Sequence, residues 1–313
     1  MKTARARHSL VLPVALALGV LTAPRPAEAL RVVAGTEDVG SLAREVVGPD
    51  GEVTTLANPH QDPHFVDARP SLLLPMARAD ALVVVGLDLE VGWLPLLVKN
   101  SRNASIQLGA PGYVDASTFI QPQDVATTPV DRSMGDIHPR GDPHYLKDPR
   151  NGVLVVRGLG RAFSALDPAR AARYVDRAEA YATALEARIR AWEARLAPLR
   201  GRGAVSYHKS FNYLFRWLGV ETVSYVEPKP GVPPSPAHVM QLVMLARARK
   251  VQLFISEDWY PTSTSEVVAQ KSGSRLTVVP GLPDAGERYA DHVEEVVVLL
   301  ERAAGLGVPA PAP

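Results

Sequence analysis

Eight histidines occur in the 313 residues, and no cysteine, so a metal site in this chain has to be built from imidazole and carboxylate. Three short contexts hold the histidines that matter most. Asn58-Pro59-His60-Gln61-Asp62-Pro63-His64 follows a strand-like Val53-Thr54-Thr55-Leu56, Asp142-Pro143-His144-Tyr145 closes a long polar segment, and Ser206-Tyr207-His208-Lys209 ends another strand-like run. In open α/β sheets, ligand-binding groups collect just outside the carboxyl ends of strands, which is where two of these contexts fall. A single loop histidine is more often a solvated or hydrogen-bonded side chain than a ligand; it is the recurrence of the placement that points to a metal. His60 and His64 have the spacing of a helical chelate, but Pro59 and Pro63 argue against a regular helix there, so only one of the pair is expected to be a primary ligand.

The elements that must position these residues alternate. Arg31–Ala34 reads as a strand, the stretch from Asp38 to Val47 as a helix, and Ala81–Gly86 as a continuous apolar run of the kind buried on both faces of a parallel sheet. Pro70-Ser71-Leu72 starts a helix leading into that strand, Leu89, Trp93, Leu96 and Leu97 recur at helical spacing, and Ser105–Leu108 is expected to return as a strand. Residues 121–143, rich in Pro, Asp, Gly and Thr, are expected to form a long mobile loop carrying His138. From Asp167 to Arg200, the apolar positions Tyr174, Ala178, Tyr181, Leu185, Ile189 and Trp192 trace one face of a helix, with Pro168 at its first turn. At 1.5 Å per residue such a helix reaches about 45–50 Å, longer than a small domain is wide, so it should bridge two lobes. Beyond it the alternation restarts, with strands at Ala204–Tyr207, Glu221–Val223, Val251–Ile255 and Leu276–Val279, and a last helix from about Tyr289 to Ala304. The expected fold class is therefore α/β: two lobes, each a mostly parallel sheet flanked by helices, over residues 30–165 and 201–313, joined by one long rigid helix over 166–200.

The first residues carry Lys2, Arg5 and Arg7, an apolar run from Leu10 to Leu21, and Ala27-Glu28-Ala29, which is the pattern of a secretory signal peptide over 1–29. The apolar run is too short to be a spanning helix. Export predicts a periplasmic, soluble mature chain, probed by a small ligand or a protein rather than by nucleic acid, since the net charge of +1 leaves no basic footprint. The chain contains no His-Glu-x-x-His, no Gly-x-Ser-x-Gly and no phosphate-cradling glycine loop.

At this point the motifs carry a resemblance. Pro63-His64 followed by Arg69-Pro70-Ser71, the Asp80–Gly86 strand and Leu89-Glu90-x-x-Trp93-Leu94 resemble the cluster A-I zinc and manganese solute-binding proteins of ABC transporters. Asp142-Pro143-His144-Tyr145-Leu146-x-Asp148-Pro149-x-Asn151 resembles that family's second ligand motif, and Tyr207-His208-Lys209-Ser210-Phe211-x-Tyr213 its third. Glu227 through Ser235-Pro236 and Phe254-Ile255-Ser256-Glu257 resemble the elements that follow.

The resemblance implies a zinc-binding component of an ABC importer that takes Zn2+ between two lobes and passes it to a membrane permease, as a monomer, with a periplasmic zinc chaperone as a further partner. It makes His64, His144 and His208 metal ligands, with a carboxylate near the end of the Leu276–Val279 strand as the fourth. Pro280-Gly281 stands where the family commonly has its aspartate, so Asp284 is the expected fourth ligand and Glu257 the substitute. His60 and His138 are auxiliary candidates to receive zinc on its way in, set against the plainer reading that both are solvated side chains. Three imidazoles and one carboxylate suit tetrahedral Zn2+, whereas manganese prefers more oxygen, and in manganese-selective relatives the third position is typically glutamate rather than a histidine such as His208. The alternatives are a manganese-binding protein, a metal-dependent adhesin or storage protein of the same fold, and a metallohydrolase, whose zinc would need an open position for water.

Overall fold

The computed structural model describes residues 29–130, 135 and 137–306. The expected signal peptide, apart from Ala29, lies outside the described residues, as do positions 131–134 and 136 of the 121–143 segment. Among the described residues, no helix is long and apolar enough to cross a membrane.

Two four-stranded sheets are present, both wholly parallel and both with the same order. In the first, β2 (Gly51–Thr55), β1 (Leu30–Ala34), β3 (Ala81–Val84) and β4 (Tyr113–Asp115) lie side by side in that sequence. In the second, β6 (Glu221–Tyr225), β5 (Gly203–Ser206), β7 (Leu253–Glu257) and β8 (Arg275–Val279) repeat the arrangement. Strand β3 is buried at all its positions, as its unbroken apolar sequence predicts. The helices α1 (Glu37–Val47), α2 (Leu73–Arg78) and α3 (Leu94–Ser101) flank the first sheet, and α6 (Asn212–Leu218), α7 (Pro236–Ala248) and α8 (Thr262–Ser272) flank the second.

The returning strand expected at Ser105–Leu108 is instead a short 3-10 turn, Ala104–Ile106, and the strand comes later as β4. The Asn103 side chain caps that turn by accepting from Ser105 N at 3.0 Å, while Leu108 is 82% exposed, so the apolar pattern there marks one anchor, Ile106, and not a strand. A second departure is α4 (Pro149–Leu166), which the reading of the sequence passes over. Its glycines lower its intrinsic helix propensity, but they are where neighbours approach. A Cβ at Gly158 would stand 2.2 Å from the Phe119 ring, and one at Gly160 would stand 2.7 Å from Ala178. Packing of Val153, Val155, Val156, Leu159 and Phe163 overrides propensity and ties α4 to the long helix that follows.

That helix, α5 (Ala171–Leu196), is extended at both ends by 3-10 turns, Pro168–Arg170 and Ala197–Leu199. The expected face is buried: Tyr174, Ala178, Tyr181, Leu185, Ile189 and Trp192 all point into the core. Arg177 donates to Val47 O at 2.7 Å and pairs with Asp50 on the first-sheet side. Toward the other end, Arg195 grips Glu301 at 2.7 and 2.9 Å, and Trp192 Nε1 donates to Glu294 at 2.7 Å, both acceptors on α9 (Tyr289–Ala303). Helix α9 in turn reaches the first half, where Tyr289 N donates to Ser41 Oγ at 2.7 Å and Tyr289 OH to Leu146 O at 2.6 Å. One hydrophobic core therefore runs through both halves along α5 and α9. Truncating Trp192 to Ala should cost about 3–5 kcal/mol of stability by cavity formation, read as a lowered midpoint in chemical denaturation; a loss under 1 kcal/mol would mean α5 is not part of a shared core.

Candidate metal centre

The two sheets present their carboxyl ends to one cleft, and the three main histidine contexts meet there. His64 lies in the loop after β2, His144 directly precedes the 3-10 turn Tyr145–Lys147, and His208 stands two residues beyond β5. Ring centroids are 5.2 Å apart for His64 and His144, 5.4 Å for His64 and His208, and 5.3 Å for His144 and His208. One ring nitrogen from each falls within 4.8 Å of the others, the one such grouping of histidines or carboxylates among the described residues.

Local sequence sets the direction in which each ring points. Asp62-Pro63-His64 and Asp142-Pro143-His144 are the same tripeptide folded the same way. In the first, Asp62 Oδ1 accepts from His64 N at 3.0 Å and from the ring Nδ1 at 2.6 Å; in the second, Asp142 Oδ1 accepts from His144 N at 2.9 Å and from Nδ1 at 2.7 Å. An aspartate bonding the backbone two residues on is an Asx-turn, and the intervening proline presets the φ angle it needs. The third ring is held at long range: His208 Nδ1 donates to Glu227 Oε2 at 2.7 Å, from the chain just past β6. All three Nδ1 atoms are thus occupied by carboxylates, so in the neutral form of each ring the tautomer with the proton on Nδ1 is favoured and Nε2 is the nitrogen left for a metal. That is the arrangement by which a carboxylate behind an imidazole fixes its tautomer and raises its basicity toward a metal. Tyr260 OH adds a bond to the far oxygen of Asp62 at 3.1 Å, and Trp93 Nε1 donates to Pro63 O at 2.9 Å, so the His64 turn is anchored from both sides.

The charges divide accordingly. Burial, reinforced by the neighbouring histidines, holds the His144 pKa well below its ordinary value, so this ring stays neutral. Burial opposes charge on His208 as well, but the bond to Glu227 and the charges of Glu227, Glu257 and Asp62 together outweigh it and the pKa rises. Burial would raise the Asp62 carboxyl, yet the bonds from His64 and the charges of His64 and His208 together hold it down, to about 2.

The remaining candidates fall elsewhere, with one exception. Asp284, expected as the fourth ligand, is not brought to the group: its side chain is 67% exposed on the cleft rim and lies 3.3 Å from His60 Nε2. The cause is the preceding turn. Gly281 packs so closely on Trp259 that a Cβ there would stand 1.8 Å from the ring, its N–H donates to Asp258 at 3.1 Å, and its carbonyl accepts from Lys147. With that turn pinned, Asp284 emerges outward. Glu257 is fully buried and accepts from Ser210; its other oxygen has no hydrogen-bond partner among the described residues, it stands outside the three-histidine group, and burial raises its pKa. His60 sits on the rim between Asp258, at 2.9 Å, and Asp284, and so links the two halves at the surface. His138 is the exception, with its Nε2 3.2 Å from that of His64. The carboxylates behind the rings went unassigned in the sequence reading, although the repeated Asp-Pro-His was a signal for two of them; Glu227, 19 residues from its histidine, had no local signal.

Replacing Glu227 with Gln removes the carboxylate that contributes most to raising the His208 pKa, leaving burial opposed only by the weaker influence of Glu257 and Asp62. In the metal-free protein the imidazole titration of His208 should move to lower pH, as followed by NMR; an unmoved titration would deny Glu227 its role.

Three comparisons bear on this geometry. Residues 32–303 match the family model described as zinc-uptake complex component A, periplasmic (ZnuA). The high-affinity zinc uptake system protein ZnuA of Paracoccus denitrificans is 28% identical over 245 residues, covering 68% of this chain and 71% of that protein. The manganese-binding lipoprotein MntA of Halalkalibacterium halodurans is 24% identical over 278 residues, covering 86% and 87%. A crystal structure of a ZnuA superposes with a TM-score of 0.72 at 21% identity, covering 88% of this chain and 98% of that one, which establishes the shared fold. With a family model spanning nearly the whole described chain, the protein belongs to the ZnuA family of periplasmic metal-uptake components.

Proposed function

We propose that the protein binds Zn2+ in the periplasm as the solute-binding component of an ABC importer, taking the ion on His64, His144 and His208 and surrendering it to a membrane permease. The observation that carries the reading is the convergence of three imidazoles whose Nδ1 atoms are all held by carboxylates. A nitrogen-rich donor set suits zinc over manganese. Family membership supports metal uptake, and relatives named for zinc and for manganese both occur, so the choice of zinc rests on the donor chemistry.

Within this reading residues 30–165 and 201–313 act as the two halves of the cleft and 166–200 as the connection between them. His64 and His144 belong to the first half and His208 to the second, so the ion bridges them. Release then requires the permease to draw one half's donors away from the other's. The shared core along α5 and α9 resists wide opening, so local movement of the histidine-bearing loops is the favoured route. No catalytic step is involved.

Calorimetric zinc titration of the metal-stripped protein tests the assignment. Changing His64, His144 or His208 to Ala should each weaken binding by about a hundredfold or more, beyond what loss of an outer partner costs, whereas Asp284→Ala should leave affinity within about twofold, in line with ordinary surface substitutions. Tight binding that survives all three histidine changes would refute the proposal.

A further inference from the structure

Resting on the three-histidine reading, we infer that Tyr260 is a positioning residue that ties His64, a donor of the first half, to the second half, so that closure of the cleft is what holds the His64 ring on the ion. Tyr260 lies just past β7, and its hydroxyl donates to Asp62 Oδ2 at 3.1 Å. The other oxygen of the same carboxylate accepts from both the backbone N and the Nδ1 of His64. One carboxylate therefore joins a donor of one half to a hydroxyl of the other. Burial, together with the charges of Glu257, Asp62 and Glu227, holds the Tyr260 pKa far above its ordinary value, so the hydroxyl keeps its proton and remains the donor in this bond.

The hydroxyl is fixed from its own side. The Tyr260 ring stacks on that of Tyr207, with centroids 4.3 Å apart and planes at 17°, and Tyr207 is the residue before His208. Tyr260 N donates to Glu257 O at 3.3 Å, Asp258 N to Val279 O at 3.1 Å and Gly281 N to Asp258 Oδ1 at 3.1 Å, so residues 257–260 are bound to the ends of β7 and β8. The Tyr260 and His208 rings lie 6.1 Å apart. Tyr260 is thus part of the same packed unit as His208, and its bond to Asp62 sets the distance between donors that come from different halves.

The twin turn at His144 shows what this bond adds. Asp142 Oδ1 holds His144 as Asp62 Oδ1 holds His64, but Asp142 Oδ2 is buried with no hydrogen-bond partner among the described residues. That turn is held from within the first half, where Asp142 N donates to Gln123 O at 2.8 Å and Tyr145 OH to Val85 O at 2.9 Å. Drawing the halves apart therefore takes the Tyr260 hydroxyl from Asp62 and loosens His64, while the bonds behind His144 stay made. A second link crosses between the same loops, from His60 Nδ1 to Asp258 Oδ2 at 2.9 Å, but the His60 side chain is 60% exposed and water competes for that bond. The coupling is carried by the buried hydroxyl.

Zinc titration of the metal-stripped protein, with dissociation followed by stopped flow against a chelator, tests this on Tyr260→Phe, which keeps the stacked ring and removes the hydroxyl alone. The expected result is a loss of affinity of about tenfold or more, the cost of removing a partner that orients a ligand, expressed as faster dissociation. In an Asp62→Ala background the same change should cost less than about twofold, because the hydroxyl acts through that carboxylate. A tyrosine that merely supported the fold would cost as much in either background. His60→Ala should stay within about twofold of the parent. Affinity and dissociation rate within about twofold of the parent in Tyr260→Phe, or equal losses in the two backgrounds, overturn the inference and, with binding lost in His64→Ala, leave the three-histidine site standing. If His64→Ala binds as the parent does, the underlying reading fails, and the inference with it.

Discussion

Hydrogen bonds between carboxylates and the Nδ1 atoms of three histidines are the interactions on which the cleft depends. Without them the imidazoles would be loop side chains free to take either tautomer and several rotamers, and assembling a site would cost the ordering entropy of each. With Asp62, Asp142 and Glu227 in place, the rings are oriented before an ion arrives. The same carboxylates place negative charge behind the three rings, which leaves the imidazoles as the groups that converge in the cleft.

The fold serves this arrangement by bringing two strand-end regions together. Each half is a parallel sheet of identical strand order, and each offers loops at its carboxyl edge. Helices α5 and α9 hold the two edges face to face through one continuous core, so the donors from the two halves meet at a fixed spacing. Rigidity of that kind favours tight capture and places the mobility needed for release in the loops. His60, between Asp258 and Asp284, adds a polar link across the rim, away from the histidine cluster.

Much of this was legible in the sequence, for identifiable reasons. Apolar runs and helical periodicity located seven of the eight strands among the described residues and the face of α5, because burial in a layered α/β fold imposes those periods directly. His64, His144 and His208 stood out because each follows a strand or a Pro-linked turn. The misses are equally physical. Helix α4 was hidden by its glycines, whose value lies in contacts with Phe119 and Ala178 that no local pattern announces. Asp284 looked like a ligand by proximity to Pro280-Gly281, but Trp259, from another loop, packs that turn so that the aspartate faces solvent. His138 reads in the sequence as an auxiliary histidine in a polar segment, and it lies against His64 at 3.2 Å, outside the group that the other three form.

A crystal structure of the zinc-loaded protein, with anomalous scattering recorded at the zinc edge, tests the central claim most directly. The account predicts one dominant peak, within bonding distance of Nε2 of His64, His144 and His208, with each Nδ1 still on its carboxylate. A peak at the rim beside His60 and Asp284, or rings rotated so that Nδ1 faces the ion, would contradict it.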